Sequence, residues 1–194
     1  MSPVSPSAAA SRVLRVLHLE DSPLDHDLAL AHLLRSGLRV AAERVETRAD
    51  FEAALATPWD AILSDYNLPG FSGVQALALL RERDAVTPCI LLSGEIGEET
   101  AVAAMRSGAS DYLLKGNLAR LAPALEHAIA ASESQRARLR ADQALAQSRQ
   151  RLSELAQHLQ TRVGEERAAI AREIHDDVGG SLTALKFELD WIRR

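Results

Sequence analysis

Residues 59–73 read WDAILSDYNLPGFSG. The first six, 59–64, form an apolar run of the length that suits a buried strand, and the Pro and Gly that follow are typical of a turn. Asp65 therefore comes directly after a predicted strand, at the end where open parallel sheets carry their functional side chains. An aspartate before such a turn is also common as a turn or cap residue, so its neighbours decide its role.

The same alternation of short apolar runs and amphipathic stretches continues on both sides of this segment. Strands are predicted at 13–19, 38–45, 59–64, 88–92 and 111–114. Helices are predicted at 24–36, 50–56, 73–83 and 98–107. Five β/α units within about 120 residues indicate an α/β fold, namely a flavodoxin-like, doubly wound sheet of five parallel strands in the order 2-1-3-4-5.

Composition and charge narrow the classes of function. The chain has 194 residues, 47% of them apolar, and 22 Lys and Arg against 27 Asp and Glu give a net charge of −5. This balance provides no overall basic field for nucleic acid or an anionic membrane. The single cysteine, Cys89, excludes an internal disulfide framework, fits a reducing compartment and is expected in the core of the fourth strand.

Targeting signals are not apparent in the sequence. Residues 1–11 are Ser, Pro and Ala without periodicity, which predicts a flexible leader rather than a signal peptide. Because no apolar run approaches the length of a membrane span, we expect a cytoplasmic location.

Polar side chains follow four of the predicted strands. Glu20 and Asp21 follow the first strand, Asp65 the third, Ser93 the fourth and Lys115 the fifth. In the 2-1-3-4-5 order these strand ends are neighbours. Three carboxylates brought together repel one another and need a cation, and a set of oxygen ligands suits Mg²⁺.

These groups have the chemistry for phosphoryl transfer. Asp65 would be a carboxylate nucleophile, Mg²⁺ would neutralise charge on the phosphoryl oxygens, and Ser93 and Lys115 would hold the transferred group. The chain has neither a P-loop nor a kinase-type glycine loop, so the phosphoryl donor has to be another molecule or another domain.

Four segments together resemble the receiver domain of two-component response regulators, over residues 14 to about 131. They are VLHLEDSPLD (16–25), ILSDYNLPGFSG (62–73), CILLSGE (89–95) and DYLLKG (111–116). The resemblance implies that Asp65 is the phosphoacceptor. It also implies that Glu20 and Asp21 form the acidic pair, with Asp21 the more direct Mg²⁺ ligand, and that the backbone carbonyl of Asn67 completes the protein ligands.

The same resemblance assigns the remaining site residues. Ser93 matches the switch hydroxyl of the family, Lys115 its phosphate-binding lysine and Tyr112 its switch aromatic. Tyr112 is also compatible with a half-buried strand tyrosine, and one side chain could serve both purposes. The polar residues Asn67 and Glu95 resemble the pair of fast-decaying chemotaxis receivers, which predicts a short-lived phosphorylated state.

After residue 118 the composition shifts to Ala, Leu, Glu, Gln and Arg, with no strand signal. The fifth helix of the receiver is therefore expected to continue outward. Large apolar residues along it approximate a heptad seam, which predicts a coiled coil over 132–164 and a homodimer. Gly164 interrupts the pattern and is a candidate hinge. The seam consists of Leu145, Leu152, Leu155, Leu159 and Val163.

The segment EERAAIAREIHDDVGGSLTALKFEL (165–189) resembles the phosphoacceptor helix of histidine kinases of the nitrate-sensor type. The resemblance implies that His175 is a phosphoacceptor and that Asp176 orients its imidazole and accepts its proton. Gly180 stands where the family usually has a Gln used in dephosphorylating a partner receiver, which argues against that phosphatase role. We expect no complete kinase in this chain, but the front part of a longer hybrid kinase.

The interpretation is a phosphorelay signalling protein with a leader at 1–11, a receiver at 12–131, a helical linker at 132–164 and an incomplete phosphoacceptor domain at 165–194. Its expected partners are a phosphodonor histidine kinase or small phosphodonor, a downstream receiver protein and a second copy of the chain. Two alternatives stay open. One is a phosphatase of the haloacid dehalogenase type, which needs a second Asp where Asn67 stands, and the other is a receiver that serves only as a scaffold.

Overall fold

The computed structural model describes residues 12–94 and 97–192 of the chain. The predicted leader at 1–11 and Glu95 lie outside these ranges. The side chains of His175 and Asp176 also lie outside the described part, although both residues fall within a helix. The roles assigned to these residues therefore stay predictions.

Five parallel strands form the central sheet. They are β1 (Val13–Leu19), β2 (Arg39–Val45), β3 (Ala61–Asp65), β4 (Cys89–Ser93) and β5 (Asp111–Leu114). Their order in the sheet is β2-β1-β3-β4-β5, and every neighbouring pair is parallel. The predicted fold class and strand order are confirmed.

The third strand lies slightly later in the sequence than predicted. Trp59 stays outside β3 because it ends the connection from the preceding helix, where its Nε1 donates a 2.9 Å hydrogen bond to the carbonyl of Ala54. Asp65 is consequently the last residue of β3 and not the first residue after it. This shift places the backbone of Asp65 in the hydrogen-bonded register of the sheet, opposite Leu92.

Helices connect the strands and begin at defined caps. They are α1 (Pro23–Arg35), α2 (Arg48–Ala54), α3 (Gly73–Arg83), α4 (Glu98–Arg106) and α5 (Leu121–Ile192), with a 3-10 segment at Lys115–Arg120 before α5. The side-chain oxygens of Ser22, Thr47 and Ser72 accept hydrogen bonds from the backbone N–H three residues later, which satisfies donors that a helix start leaves open. These caps set the starts of α1, α2 and α3 close to the ends of the strands before them.

Each face of the sheet is covered by an apolar layer. Leu14 and Val16 of β1 belong to one layer, together with residues of α1 and the start of α5, whereas Leu17 and Leu19 belong to the other, with residues of α2, α3 and α4. Successive strand residues point to opposite faces, so both sets are buried. Cys89 lies in the second layer, where burial raises the pKa of its thiol to about 12. The thiol is therefore protonated at neutral pH.

The chain divides into two compact units, Met1–Arg138 and Leu139–Arg194. In the first unit the start of α5 packs on the sheet, and further along α5 the Nη2 of Arg136 lies 3.2 Å from Asp84 Oδ2 and 2.6 Å from Thr87 Oγ1. These contacts tie the outgoing helix to the loop before β4.

In the second unit the helix continues through Gly164 without a break in its secondary structure. The five apolar residues of the predicted seam are all exposed, with exposed fractions between 46% for Val163 and 64% for Leu152. Across the described residues, no helix combines the length and hydropathy needed to cross a membrane.

Gly73 lies at a close approach between α3 and β3. A Cβ atom on Gly73 would lie 2.5 Å from the carbonyl oxygen of Asp65 and 3.1 Å from the Cα of Tyr66. Both neighbours are backbone atoms, so neither can swing away. Glycine is therefore required here by space, and this contact holds the backbone of Asp65 against the start of α3.

We expect Gly73→Ala to lower the free energy of unfolding by about 1–3 kcal/mol, the usual cost of forcing extra volume into a packed site. Chemical denaturation followed by circular dichroism measures it. The matched control is Gly164→Ala, whose Cβ would meet open space and whose alanine favours a helix by about 1 kcal/mol. If Gly73→Ala is as stable as the wild type, the backbone at Asp65 can shift freely.

Candidate functional site

The carboxyl ends of β1, β3 and β5 bring charged side chains together. Glu20 and Asp21 follow β1, Asp65 ends β3 and Lys115 follows β5. One carboxylate oxygen from each of the three acidic residues lies within 4.8 Å of the others. The structure thus brings together the acidic residues and the lysine that the strand ends predicted.

Lys115 is the cation at the centre of this group. Its Nζ lies 2.8 Å from Glu20 Oε2 and 2.7 Å from Asp65 Oδ2. A third carboxylate, Asp25 Oδ2, lies 2.7 Å from the same nitrogen. Partial burial alone would lower the pKa of Lys115, but the contacts with the three carboxylates outweigh burial and hold that pKa above its usual value. The ammonium is therefore charged at neutral pH.

Glu20 is fully buried. Removal from water raises the pKa of its carboxyl, and the nearby charge of Asp65 adds to this, whereas Lys115 and the N–H of Ser22, 3.1 Å from Oε1, lower it. Burial has the larger effect, so the pKa of Glu20 lies above its usual value. Lys115 is the counter-ion on which the charged form of Glu20 depends.

Asp65 is held through both carboxylate oxygens. Lys115 donates to Oδ2, and the backbone N–H of Asn67 donates to Oδ1 at 3.1 Å. Asn67 is placed by a short antiparallel ladder in which Asn67–Leu68 pairs with Phe71–Ser72. The turn that the sequence predicted after Asp65 therefore returns the chain toward α3 and keeps Asn67 beside the carboxylate.

Ser93 lies on β4, the strand next to β3, and Tyr112 lies on β5, the strand on the far side of β4. Ser93 is buried at the end of β4, one residue after Leu92, the register partner of Asp65. Tyr112 is half-buried in β5, and its ring contacts that of Tyr66 edge-on, with ring centroids 6.2 Å apart. This aromatic contact joins β5 to the residue directly after Asp65, and Tyr66 was not among the expected residues.

Asp25 is the charged residue of this site that the sequence pattern did not reveal. It lies in the first turn of α1, where its N–H donates to Ser22 Oγ. A signal was present: Pro23 begins the helix two residues after Asp21, so the first helical turn stays at the same edge of the sheet. An acidic residue in that turn is common for helix-dipole reasons alone, and nothing local singles it out.

His18 is a second polar residue that was not expected. It is buried in β1, with its Nδ1 2.9 Å from His26 Nδ1 and its Nε2 3.8 Å from Glu20 Oε2. Burial, followed by the charge of His26, lowers the pKa of His18 to about 3. His18 is therefore a neutral imidazole beneath the acidic pair and adds no positive charge to the site.

The charge balance of the site suits a divalent cation. Glu20, Asp25 and Asp65 contact the ammonium of Lys115, and Asp21 converges with Glu20 and Asp65 within 4.8 Å, where the three acidic residues supply oxygen atoms only. Oxygen ligands in small number are the donors that Mg²⁺ prefers in proteins. The residues present therefore fit the predicted cofactor.

Two family models match the chain. The model described as "Response regulator receiver domain" matches residues 16–126, which is more than half of the chain. The model described as "Histidine kinase" matches residues 166–194. The two matches fall in different parts of the chain, with α5 running through the interval between them.

Among curated proteins, the C4-dicarboxylate transport transcriptional regulatory protein DctD of Pseudomonas aeruginosa is 36% identical over 119 residues, which are 59% of this chain and 24% of that protein. The chain thus spans about a quarter of the length of this relative.

Two solved structures illustrate the likeness in fold. The signal receiver domain of the putative response regulator NarL from Mycobacterium tuberculosis is 28% identical, with a TM-score of 0.51 over 60% of this chain and 97% of that one. The receiver domain of sensor histidine kinase PA1611 from Pseudomonas aeruginosa, which has a magnesium ion coordinated in its active-site cleft, is 24% identical, with a TM-score of 0.53 over 61% and 99%. The second likeness shows the fold alone.

Replacing the central cation should destabilise the site in a pH-dependent way. We expect Lys115→Met to lower the free energy of unfolding at pH 7 by about 1–3 kcal/mol, because Glu20 and Asp65 lose their counter-ion. The pKa of Glu20 in the folded protein would rise further above its unfolded value. A carboxyl whose pKa is raised by folding costs stability as the pH rises from its unfolded pKa to its folded pKa. The deficit should therefore shrink as the pH falls toward about 5.

Urea denaturation at both pH values measures this deficit. Lys186→Met, at the other lysine of the chain, makes the same change in net charge and serves as the control. A deficit that is independent of pH, or equal in the two variants, would contradict the dependence of Glu20 on Lys115.

Proposed function

Because this chain belongs to the response regulator receiver domain family, we propose that it is a phosphorelay signalling protein that accepts a phosphoryl group on Asp65. The observation that carries the proposal is the environment of that carboxylate. Asp65 lies at the end of a central strand, 2.7 Å from the Lys115 ammonium and within 4.8 Å of two further acidic side chains. Few structural roles bring so many charges together at one edge of a sheet, whereas phosphoryl transfer uses a nucleophile, a metal site and a cation together.

Each residue has a distinct task in the proposed reaction. Asp65 attacks the phosphorus of the donor with a carboxylate oxygen, and the N–H of Asn67 keeps the other oxygen in place. Lys115, already at Oδ2, donates to a phosphoryl oxygen as negative charge accumulates there. Ser93, buried at the end of the adjacent strand, supplies a hydroxyl to the same group, and Tyr112 responds to the change as the switch aromatic.

Mg²⁺ is the cofactor of this reaction in our proposal. Glu20, Asp21 and Asp65 would hold it, with Asp21, the exposed member, as the most accessible ligand and the carbonyl of Asn67 as the fourth protein oxygen. When bound, the ion neutralises charge on the phosphoryl oxygens. The excess of carboxylates over cations at this strand end supports the assignment.

Of the two alternatives, the phosphatase lacks a required group. A haloacid dehalogenase-type mechanism needs a second Asp two residues after the nucleophile to protonate the leaving group, and Asn67 has no acidic proton there. The scaffold alternative differs from our proposal in one respect only, since a scaffold would not take up phosphate. The experiment on Asp65 below separates the two.

The histidine kinase region provides a second candidate acceptor for a phosphoryl group. We propose that His175 accepts a phosphoryl group, that Asp176 orients its imidazole, and that a downstream receiver protein is the next acceptor. The match of residues 166–194 to a histidine kinase family and the helical backbone of this segment support the assignment. Phosphorylation of His175 requires an ATP-binding domain, which a partner kinase or a longer form of this chain would supply, and Gly180 argues against a phosphatase role.

Dimerisation through the helical linker completes the proposal. The seam residues defined above are exposed in the single chain, and a stripe of this kind is normally buried between helices. A phosphodonor kinase or a small phosphodonor in the cytoplasm would provide the input to each copy.

We expect acetyl phosphate to add one phosphoryl group per chain, only when Mg²⁺ is present, because an uncompensated phosphoryl dianion would be repelled by the acidic pair. Intact-mass spectrometry measures the added mass, and Asp65→Asn is the control that removes the nucleophile while keeping the shape. Equal labelling of Asp65→Asn would place the phosphoryl group elsewhere, and an unlabelled wild type would favour the scaffold.

The proposed dimer can be tested in the full-length chain. Leu152→Glu with Leu159→Glu places charges on the seam and should convert the dimer to a monomer at tens of micromolar in light scattering, because burying an unpaired carboxylate is costly. Ser153→Glu with Gln160→Glu adds the same charges one position away from the seam, on exposed residues, and should leave the dimer intact. Monomeric wild-type protein would refute the coiled coil.

A further inference from the structure

Asp25 contacts Lys115 as closely as Asp65 does, although none of the roles proposed above is assigned to Asp25. Both carboxylates lie 2.7 Å from Nζ, and Glu20 lies 2.8 Å from it. A lysine ammonium has three N–H donors and no acceptor. Asp25 and Asp65 accept hydrogen bonds from Lys115, and Glu20 forms an ion pair with it, so three carboxylates compete for the same ammonium.

The three carboxylates differ in their access to solvent. The exposed fraction of the side chain is 0% for Glu20, 10% for Asp65 and 41% for Asp25. Among the carboxylates that contact Lys115, Asp25 is thus the one most open to a donor arriving from solution. It is also the only one of the three that lies on a helix, and its residue is 90 positions away from Lys115 in the sequence.

We propose that Asp25 is a positioning residue that restrains the ammonium of Lys115 in the unphosphorylated protein and thereby slows phosphoryl uptake from small anionic donors. The inference rests on the proposed function of Asp65. It adds a residue that limits the rate of phosphoryl uptake and lies on the solvent side of the Lys115 ammonium.

The reaction itself shows where the restraint acts. With acetyl phosphate, the bond between phosphorus and the acetyl oxygen breaks, acetate leaves with the electron pair, and a new bond forms between phosphorus and an Asp65 oxygen. The phosphoryl oxygens then need an N–H of Lys115. The contact with Asp65 weakens as its charge is used in the new bond, but Asp25 keeps its full charge, competes for the ammonium and repels the dianionic donor.

The first measurement is the second-order rate constant for phosphorylation by acetyl phosphate at saturating Mg²⁺. We expect Asp25→Asn to raise it by about threefold to tenfold, as expected for removing one like charge beside an anionic donor. Asp25→Glu, which keeps the charge, should remain near the wild-type value. Asp27→Asn is the matched control, since Asp27 is exposed on the same helix and makes no ion pair with Lys115 in the described structure.

The second measurement reads the restraint directly, without phosphorylation. Lys115 and Lys186 are the only lysines of the chain, so selective ¹³C labelling of lysine gives two side-chain signals, with Lys186 as an internal reference. The two ε protons of a held Lys115 should be inequivalent in the wild type and in Asp27→Asn. In Asp25→Asn they should move toward a single averaged shift.

The outcomes separate this inference from the proposed function. Asp25→Asn that matches Asp27→Asn in both rate and lysine signals would overturn the inference. A changed lysine signal with a lower rate would also overturn it, because Asp25 would then assist the reaction. A wild type that takes up no phosphate defeats the proposed function of Asp65, and the lysine signals then still decide whether Asp25 restrains Lys115.

Discussion

The site depends on one ion cluster, in which the Lys115 ammonium lies within 2.8 Å of three carboxylates. The carboxylates come from the end of β1 (Glu20), the first turn of α1 (Asp25) and the end of β3 (Asp65), and Lys115 is the residue after β5. In the observed sheet order β1 and β3 are adjacent, whereas β4 lies between β3 and β5. A side chain that follows β5 has to be long and flexible to reach past β4, so both the strand order and the choice of lysine are needed for the cluster to form.

The cluster has an energetic cost that the rest of the fold offsets. Glu20 is buried with a raised pKa, His18 beneath it is a neutral imidazole, and the neighbouring carboxylates repel each other. Apolar layers on both faces of the sheet supply the stability that such a site lacks. Natural proteins commonly break local rules of stability where function requires it, and this strand end fits that description.

The outgoing helix is held at the opposite edge of the sheet. Arg136 of α5 contacts Asp84 and Thr87, which precede β4, whereas Asp65 lies at the carboxyl end of β3. A change at Asp65 therefore cannot reach this part of α5 by direct contact. It has to pass through the packed layers or along β5, where Tyr112 contacts Tyr66. Coupling between Asp65 and this part of α5 therefore depends on the packing around β4 and β5.

Local patterns in the sequence determined the alternating strands and helices, the position of Asp65 at a strand end and the long apolar seam after the receiver. Each of these depends on residues close together in the chain, where periodicity, caps and turns have their effect. Only the tertiary structure decided that Asp25 meets Lys115, that His18 lies against His26 beside Glu20, and that Arg136 ties α5 to Asp84. These contacts join residues that no short-range pattern relates, because they follow from the strand order and from how far each side chain reaches across it.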